Sequence, residues 1–220
     1  MQPRCSGKGN RALTLFEVLL VIAILMIMAA FILPALKPRP IKYMRISCAN
    51  NLKQIGLSYR VWAGDNNDKY PMQVSITNGG TMELTNLGSQ TALMNYLVMS
   101  NELSTPKILN CPSDEQHVPF QSFSAGFGNT NISYFVGLNA EQTFPQSILS
   151  GDDNLTVNGA AVPAGILAVP TNASVVWTAE RHVKAGNIGL ADGSAQQVTI
   201  SGVNQAFQQT GFNTNRLAIP

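Results

Sequence analysis

Charge is scarce in this sequence. Asp, Glu, Lys and Arg make up 12% of its 220 residues, and the formal net charge is +2. Arg4, Lys8 and Arg11 precede the first long apolar run, so eleven of the fourteen basic residues remain in the body of the chain, against twelve acidic ones. The body is therefore close to neutral. This balance excludes the basic surface that a nucleic-acid-binding protein presents.

Cysteine and histidine are also rare, with three cysteines and two histidines in the whole chain. No Cys-x-x-Cys pair occurs, so a zinc knuckle is not predicted. Because Cys5 lies in the basic leading stretch, Cys48 and Cys111 remain as a pair, and a disulfide between them is one expectation. A scattered zinc site is the alternative, with the ligands Cys48, Cys111, His117 and His182.

One long apolar run dominates the N-terminal part, because sixteen residues from Val18 to Leu33 carry no polar side chain. A helix from Leu13 to Pro34 would rise roughly 33 Å, enough to cross a hydrocarbon core of about 30 Å. No small-residue cleavage site follows the run, which excludes an ordinary secretory signal. The sequence therefore predicts a transmembrane and assembly helix over 13–36.

A single carboxylate, Glu17, lies at the edge of this apolar run. Deep in lipid it would cost about 2.5 kcal/mol or more. A free α-amino group at Leu13 of a neighbouring subunit would offset this cost by pairing with Glu17 in a bundle of parallel helices. Such pairing requires removal of residues 1–12. We therefore expect 1–12 to be a cleaved leader.

The stretch Ala12-Leu13-Thr14-Leu15-Phe16-Glu17, followed by the apolar run, resembles the prepilin cleavage and methylation signature of type IV pilins and type II secretion pseudopilins. The resemblance implies that a prepilin peptidase cuts between Ala12 and Leu13 and methylates Leu13. It also implies that Glu17 and Pro34 act in assembly. The family usually has Gly before the cut and Phe or Met after it, so both residues at the cut depart from its pattern.

A second helical stripe follows Pro38 and Pro40, which cannot lie inside a continuous helix. Apolar or aromatic residues recur at steps of three and four, at Ile41, Met44, Cys48, Leu52, Ile55, Tyr59 and Trp62. Residues 37–70 are therefore predicted to form the second half of a broken pilin helix and the loop that ends it. In this loop Asp65 and Asp68 are calcium candidates, against the alternative of a simple turn.

Residues 71–220 are predicted to form a globular, β-rich head domain. Segments 132–138 and 173–179 are rich in β-branched and aromatic residues and predict strands of an antiparallel sheet. A short helix is expected at 90–97 and a brief strand at 108–109. Residues 187–200 predict a hairpin, whose Asp192-Gly193 dipeptide favours a type I′ turn. The expected fold class is α+β, with the long transmembrane helix, broken near Pro38 and Pro40, packed on a small antiparallel sheet.

Three further segments resemble a large bacterial subgroup of the same family. These are the stretch from Cys48 to Gly56, the tetrapeptide Cys111-Pro112-Ser113-Asp114, and His182 followed after nine residues by Asp192-Gly193. Two hypotheses for the last motif stay open. His182 contacts Asp192 across the hairpin base and forms a hydrogen bond, a metal site or a partner site. Alternatively, Asp192 and Gly193 only shape the turn, and His182 is a satisfied polar residue.

Taken with the resemblance, these features predict a pseudopilin-like structural subunit of a type II secretion system or a type IV pilus-like fibre. Its expected partners are prepilin peptidase, other pilin or pseudopilin subunits, the secretion assembly platform and the inner membrane, and not nucleic acid. Its expected location is the bacterial inner membrane, as a single-pass protein with a cytoplasmic N-terminus and a periplasmic head, and a cell-envelope fibre after assembly.

Two other classes of function are alternatives to the structural subunit. One is a binding module displayed on a fibre. The other is a membrane-tethered enzyme that uses His182 with Asp192 or a serine, but the sequence has no Gly-x-Ser-x-Gly elbow, His-Glu-x-x-His helix or phosphate loop. The chain is therefore predicted not to be an enzyme, and no cofactor is expected apart from the calcium candidates.

Overall fold

The structure, a computed structural model, describes residues 14–32, 41–85 and 87–220. These residues belong to two compact units that divide between Arg39 and Pro40. The predicted cleavage residues Ala12 and Leu13, and Pro34 with the predicted break at Pro38 and Pro40, lie outside the described residues.

The first unit contains helix α1, Leu15–Ile32, which is 18 residues long. In the described part of the chain, no helix has both the length and the apolar character needed to cross a membrane. The predictions of a transmembrane helix over 13–36 and of a single-pass inner-membrane protein with a periplasmic head are therefore wrong.

The second unit begins with helix α2, Ile41–Gly64. The spacing of its apolar residues places them on one face, and Cys48, Leu52, Ile55 and Tyr59 are fully buried there. Near the start of the helix, the Arg45 guanidinium donates to the carbonyls of Gly186 and Val198 and so links the helix to the sheet. Helix α2 is therefore a long helix whose apolar face belongs to the core of the head.

Shorter helical elements follow α2. They are α3, Gln90–Val98, α4, Ser100–Leu103, and α5, Ile200–Gln208. Single 3₁₀ turns occupy Pro71–Gln73, Ile76–Asn78, Met82–Leu84, Pro106–Leu109 and Asn129–Asn131. The predicted helix at 90–97 is confirmed. The predicted strand at 108–109 is wrong, because Thr105 caps the backbone N–H of Lys107 and Pro106 occupies the first helical position, which favours a turn.

The strands within the described residues form two antiparallel sheets. In the larger sheet the order is β5-β9-β1-β2-β7-β8, and in the smaller sheet it is β4-β3-β6. The strands are β1 Tyr134–Gly137, β2 Ile148–Asp152, β3 Leu155–Val157, β4 Ala160–Ala161, β5 Gly165–Pro170, β6 Val175–Trp177, β7 Gly186–Leu190, β8 Ala195–Val198 and β9 Thr214–Ile219.

The larger sheet separates two hydrophobic clusters. Along β1, Tyr134 and Val136 pack in the cluster that contains the buried face of α2, whereas Phe135 packs in the other cluster with Trp177 of the smaller sheet and Phe207 of α5. This alternation follows from the period of two along a strand. The head therefore has three layers, with α2 on one face of the larger sheet and the smaller sheet with α5 on the other.

The predicted fold class requires correction at two points. The predicted strands at 132–138 and 173–179 lie in different sheets, as β1 and β6. The structure is a mixed fold of helices with a six-stranded and a three-stranded antiparallel sheet among its described residues, and not a long transmembrane helix on one small sheet. The second sheet consists of β3, β4 and β6, which have only two or three residues each.

Candidate functional site

Glu17 lies in the first turn of α1, where it caps its own helix. Its carboxylate accepts hydrogen bonds from the backbone N–H of Thr14 at 2.8 Å and from the Thr14 hydroxyl at 3.1 Å. The Glu17 N–H donates back to the Thr14 hydroxyl at 3.3 Å, which completes a capping box. The backbone hydrogen bond from Thr14 is the main cause of the lowered pKa of Glu17.

The surface of α1 is apolar and exposed along its whole length. Its large side chains that are 45% to 81% exposed include Leu15, Phe16, Leu25, Met26 and Phe31. Glu17 is the one acidic residue of the helix. In the described structure, therefore, this helix presents an apolar surface that its own unit leaves uncovered.

Cys48 of α2 and Cys111 are joined by a disulfide, with 5.1 Å between their Cα atoms. Both cysteines are fully buried. The bond consumes both thiolates, so the predicted zinc site of Cys48 and Cys111 with His117 and His182 cannot form from them. Two of the subgroup segments, the one that begins at Cys48 and the tetrapeptide that begins at Cys111, are thus covalently linked.

The third subgroup segment, which ends in Asp192 and Gly193, contacts α2 through the turn between β7 and β8. A Cβ atom placed on Gly56 of α2 would lie 3.1 Å from the Cα of Gly193, so the helix and the turn touch backbone to backbone. Next to this contact, the Arg60 guanidinium donates to the Asp192 carbonyl at 3.0 Å. The glycines of both segments are therefore explained by the close approach of two elements.

The turn is of a different type from the predicted one. Gly193 N–H donates to the Leu190 carbonyl, and Leu190 N–H donates to the Ser194 carbonyl, both at 2.9 Å. Between them only Gly193 has a positive φ, of +84°, whereas a type I′ turn needs two such residues. The type I′ prediction is therefore wrong. The loop is a type I turn followed by a left-handed glycine, with the Asp192 carboxylate accepting from Ser194 N–H at 2.8 Å.

His182 and Asp192 do not form a hydrogen bond with each other in the described structure. Asp192 is exposed in the turn, while the His182 side chain is completely buried. The His182 Nε2 atom lies 3.4 Å from the Sγ of Cys111 and 3.5 Å from Oδ2 of Asp152. The first hypothesis is therefore wrong about the contact between His182 and Asp192. The second is supported for Asp192 and Gly193, which shape the turn, but His182 is not fully satisfied, because its buried Nδ1 has no hydrogen-bond partner among the described residues.

Arg181, the neighbour of His182, is the centre of a buried charged cluster that the sequence reasoning missed. Its guanidinium lies 2.5 Å from Oδ2 of Asp114 and 2.5 Å from Oδ1 of Asp153, and it donates to the Ser133 carbonyl at 3.0 Å. The imidazole of His117 reaches the same Asp114 oxygen, with 2.7 Å between Nδ1 and Oδ2. Four side chains from three separate loops therefore converge.

The carboxyl groups around Arg181 have widely separated pKa values. Burial raises the pKa of Asp152 to about 7 and that of Asp153 to about 6, and the charge of Arg181 only partly opposes this effect. Burial also acts on Asp114, but hydrogen bonding to His117 and the charge of Arg181 outweigh it and lower its pKa to about 2. Asp114 is thus the firmly ionised member of the cluster.

The loop that carries His182 is held in an unusual conformation. His182, Val183 and Lys184 are three consecutive residues with positive φ, at +51°, +54° and +57°. Left-handed residues other than glycine cost on the order of 1–3 kcal/mol each where the surroundings enforce them. Arg181 and His182 hold this segment through the charged cluster and the disulfide. The strain lies next to the buried charges, and this combination identifies a candidate functional region.

The calcium candidates lie elsewhere. Asp65 and Asp68 are exposed in the turn that ends α2, where Asn67 and Asp68 have positive φ. The described residues bring ligand atoms together at two other places, at Asp114, His117 and Asp153 and at the disulfide with His182. Asp65 and Asp68 thus belong to a turn. The donor atoms that converge in that first cluster lie around His117 instead.

The sequence contained partial signals for the charged cluster. Asp114 ends the Cys-Pro-Ser-Asp segment, Arg181 precedes the motif histidine, and Asp153 lies in an Asp-Asp-Asn run. Each was visible, but nothing in the sequence connected residues that are separated by up to 67 positions, from 114 to 181. Comparisons of the chain with protein-family models, with curated proteins and with solved structures find no match.

Proposed function

We propose that this chain is a pilin-like structural subunit of the type II secretion pseudopilin kind, which assembles with other subunits through α1. The observation that carries the proposal is α1 itself, a helix with an exposed apolar surface and one carboxylate, Glu17, in its first turn. Processing by a prepilin peptidase between Ala12 and Leu13, and contact with a secretion assembly platform, belong to the same proposal.

Burial of the α1 surface supplies the free energy for assembly. Full burial of one Leu, Ile, Val, Phe or Met side chain stabilises by about 1.5–3 kcal/mol, and α1 consists mostly of such residues. Copies of a helix that is apolar on all sides are covered best by a bundle, because each neighbour covers only part of the circumference. Parallel subunits packed through α1 would therefore form a fibre core.

Glu17 gives such a bundle its register. In the single chain its negatively charged carboxylate accepts hydrogen bonds from the neutral donors of Thr14. Inside a bundle the carboxylate loses water, and an α-amino group at Leu13 of the next subunit offers a stronger, charge-assisted partner. When the Glu17 carboxylate gives up its hydrogen bonds to Thr14 and binds that amino group, the axial offset between neighbouring subunits would be fixed.

The head supports the proposal through its rigidity. The disulfide ties α2 to Cys111, and Gly56 lets the hairpin turn rest directly on the same helix. The head therefore has a fixed internal geometry around α2. The prediction that the chain is not an enzyme belongs to the same proposal.

Substitution of Glu17 tests the proposal. Glu17→Ala is expected to give processed protein that fails to enter fibres, measured as the fraction of subunit in a sedimentable, cross-linkable fibre pool. Thr14→Ala separates the two roles of the carboxylate, because it removes the cap and keeps the charge, and it is expected to retain incorporation. Glu83→Ala is the matched control, since Glu83 is another exposed capping carboxylate, bonded to Ser75 and to Ile76 N–H.

The outcomes are distinct. Assembly by Glu17→Ala at the wild-type level would contradict the role of the carboxylate. Equal defects in Glu17→Ala and Thr14→Ala would reduce Glu17 to a helix cap. A defect in Glu17→Ala alone, with Thr14→Ala and Glu83→Ala assembling normally, is the result that the proposal predicts.

A further inference from the structure

A polar cavity of about 300 Å³ lies beside the charged cluster. Its lining includes His117, Asp153, Asn154 and Arg181. A neighbouring cavity is lined by Asp114 and Arg181 together with two further carboxylates. The local charge is therefore negative, because one guanidinium faces several carboxylates.

The hydrogen bond between His117 and Asp114 leaves one imidazole nitrogen available. Nδ1 of His117 lies 2.7 Å from Oδ2 of Asp114, so Nδ1–H donates to that carboxylate. The Nε2 atom then carries a lone pair. Metal-bound histidines typically donate their second ring N–H to a carboxylate in this way, which orients the ring and raises its basicity.

Asp153 faces that free nitrogen. Its Oδ1 atom is taken by Arg181, while its Oδ2 atom lies 3.9 Å from Nε2 of His117. This distance is too long for a hydrogen bond and leaves two electron-pair donors opposite each other. Two ligands of one tetrahedral zinc ion lie roughly 3.4 Å apart, given bonds of 2.0–2.1 Å. A shift of about 0.5 Å would therefore bring both atoms onto one ion.

Asn154 provides an independent observation at the same cavity. It is 4% exposed, and neither its side-chain oxygen nor its side-chain nitrogen has a hydrogen-bond partner among the described residues. A buried amide without partners costs about 1–3 kcal/mol, so such a group calls for a ligand. Its oxygen is the atom type that completes a nitrogen-and-oxygen donor set for a cation.

We propose that His117, Asp153 and Asn154 bind a divalent transition-metal cation of the Zn²⁺ type, with Asp114 as the residue that positions His117. One imidazole nitrogen and two oxygen donors suit Zn²⁺ or Mn²⁺ better than Ca²⁺, which takes oxygen ligands. The donor atoms of Asp114, His117 and Asp153 all lie within 4.8 Å of one another. The site is independent of assembly through α1.

The test uses the full-length protein in a Cys5→Ser background, which removes the one thiol outside the disulfide. After treatment with a chelator and its removal, calorimetric titration with ZnCl₂ is expected to show one ion per chain and a raised melting temperature. CaCl₂ is expected to bind at least tenfold more weakly. His117→Gln and Asp153→Asn are each expected to weaken Zn²⁺ binding at least tenfold, whereas Asp65→Asn, which removes an exposed carboxylate of the α2 turn, leaves it unchanged.

His117→Gln is the decisive variant, because the His117 side chain is 16% exposed and its replacement leaves the Arg181 pairs in place. Zn²⁺ binding of unchanged affinity in folded His117→Gln would overturn the proposal. So would absence of binding at micromolar Zn²⁺ in the parent protein, or Ca²⁺ binding as tight as that of Zn²⁺. Normal fibre incorporation by His117→Gln would show that the outcome is separate from assembly.

Discussion

At the scale of single residues, His182 shows how a motif histidine is used in the core. Burial, followed by the nearby charges of Arg45 and Arg181, lowers the pKa of His182 to about 4. The neutral imidazole lies between the disulfide sulfur and the Asp152 carboxyl group, whose pKa burial raises to about 7. His182 therefore fills the space next to the disulfide and is uncharged at neutral pH.

This lowered pKa predicts a loss of stability in acid. The unfolded chain takes up a proton at His182 near pH 6.5, whereas the folded protein does so near pH 4. The contribution of His182 to the free energy of unfolding is therefore fully present above about pH 6.5 and is lost as the pH falls to about 4. Its size is on the order of 3 kcal/mol.

Substitution of His182 by Asn isolates this effect, because Asn tolerates the left-handed backbone and does not titrate. Urea denaturation at pH 7 and pH 4.5 is the measurement. The decrease in the free energy of unfolding between the two pH values is expected to be smaller in His182→Asn than in the wild type by about 2–3 kcal/mol. Equal decreases in both proteins would show that His182 titrates normally in the fold.

At the scale of elements, the contact between α2 and the β7–β8 turn depends on two glycines. A methyl group on Gly56 would approach the Cα of Gly193 to 3.1 Å and its carbonyl oxygen to 3.3 Å, so either the helix or the turn must move. Gly64 at the end of the same helix offers a matched comparison, because an added Cβ there meets nothing within 4 Å.

The Gly56→Ala and Gly64→Ala variants are therefore expected to differ in sign. Overpacking at Gly56 costs about 1–3 kcal/mol, and the higher helix propensity of Ala returns at most about 1 kcal/mol of that cost. Gly64→Ala keeps the gain without the clash and is expected to be neutral or slightly stabilising. Thermal unfolding of both variants measures the difference. A Gly56→Ala protein as stable as Gly64→Ala would contradict the close contact.

Elements with a local pattern were predictable from the sequence. The stripe from Cys48 to Trp62 follows the helical period, and it is buried as expected. The hairpin at 187–200 was also predicted, but its turn was not, because Asp-Gly is compatible with a type I turn followed by a left-handed glycine as well as with type I′.

The charged cluster could not be predicted, because it depends on tertiary structure. Arg181 pairs with Asp114 and Asp153, which lie on separate loops and follow no sequence period. Only the fold of β2 next to β7 and the disulfide at Cys111 bring these loops together. The cavity next to His117 depends on the same convergence, so the donor atoms of the proposed metal site were equally hidden.

At the scale of the whole molecule, the chain combines two units of opposite character. Helix α1 is apolar and exposed, while the head is a layered fold with a buried core and a covalent link from Cys48 to Cys111. A soluble core does not require a helix like α1, and a free apolar surface of this size is a liability for an isolated protein. Under the proposed function, assembly of copies through α1 would cover this apolar surface.

Processing at the N-terminus is the chemistry that distinguishes a pilin-like subunit from any other protein with an apolar helix. Intact-mass and N-terminal peptide mass spectrometry of the protein isolated from its native cells measure it. We expect a chain that begins at Leu13 and carries one added methyl group on its α-amino nitrogen. A chain that retains Met1 and the following residues up to Ala12, in a sample where α1 is intact, would contradict the proposed function.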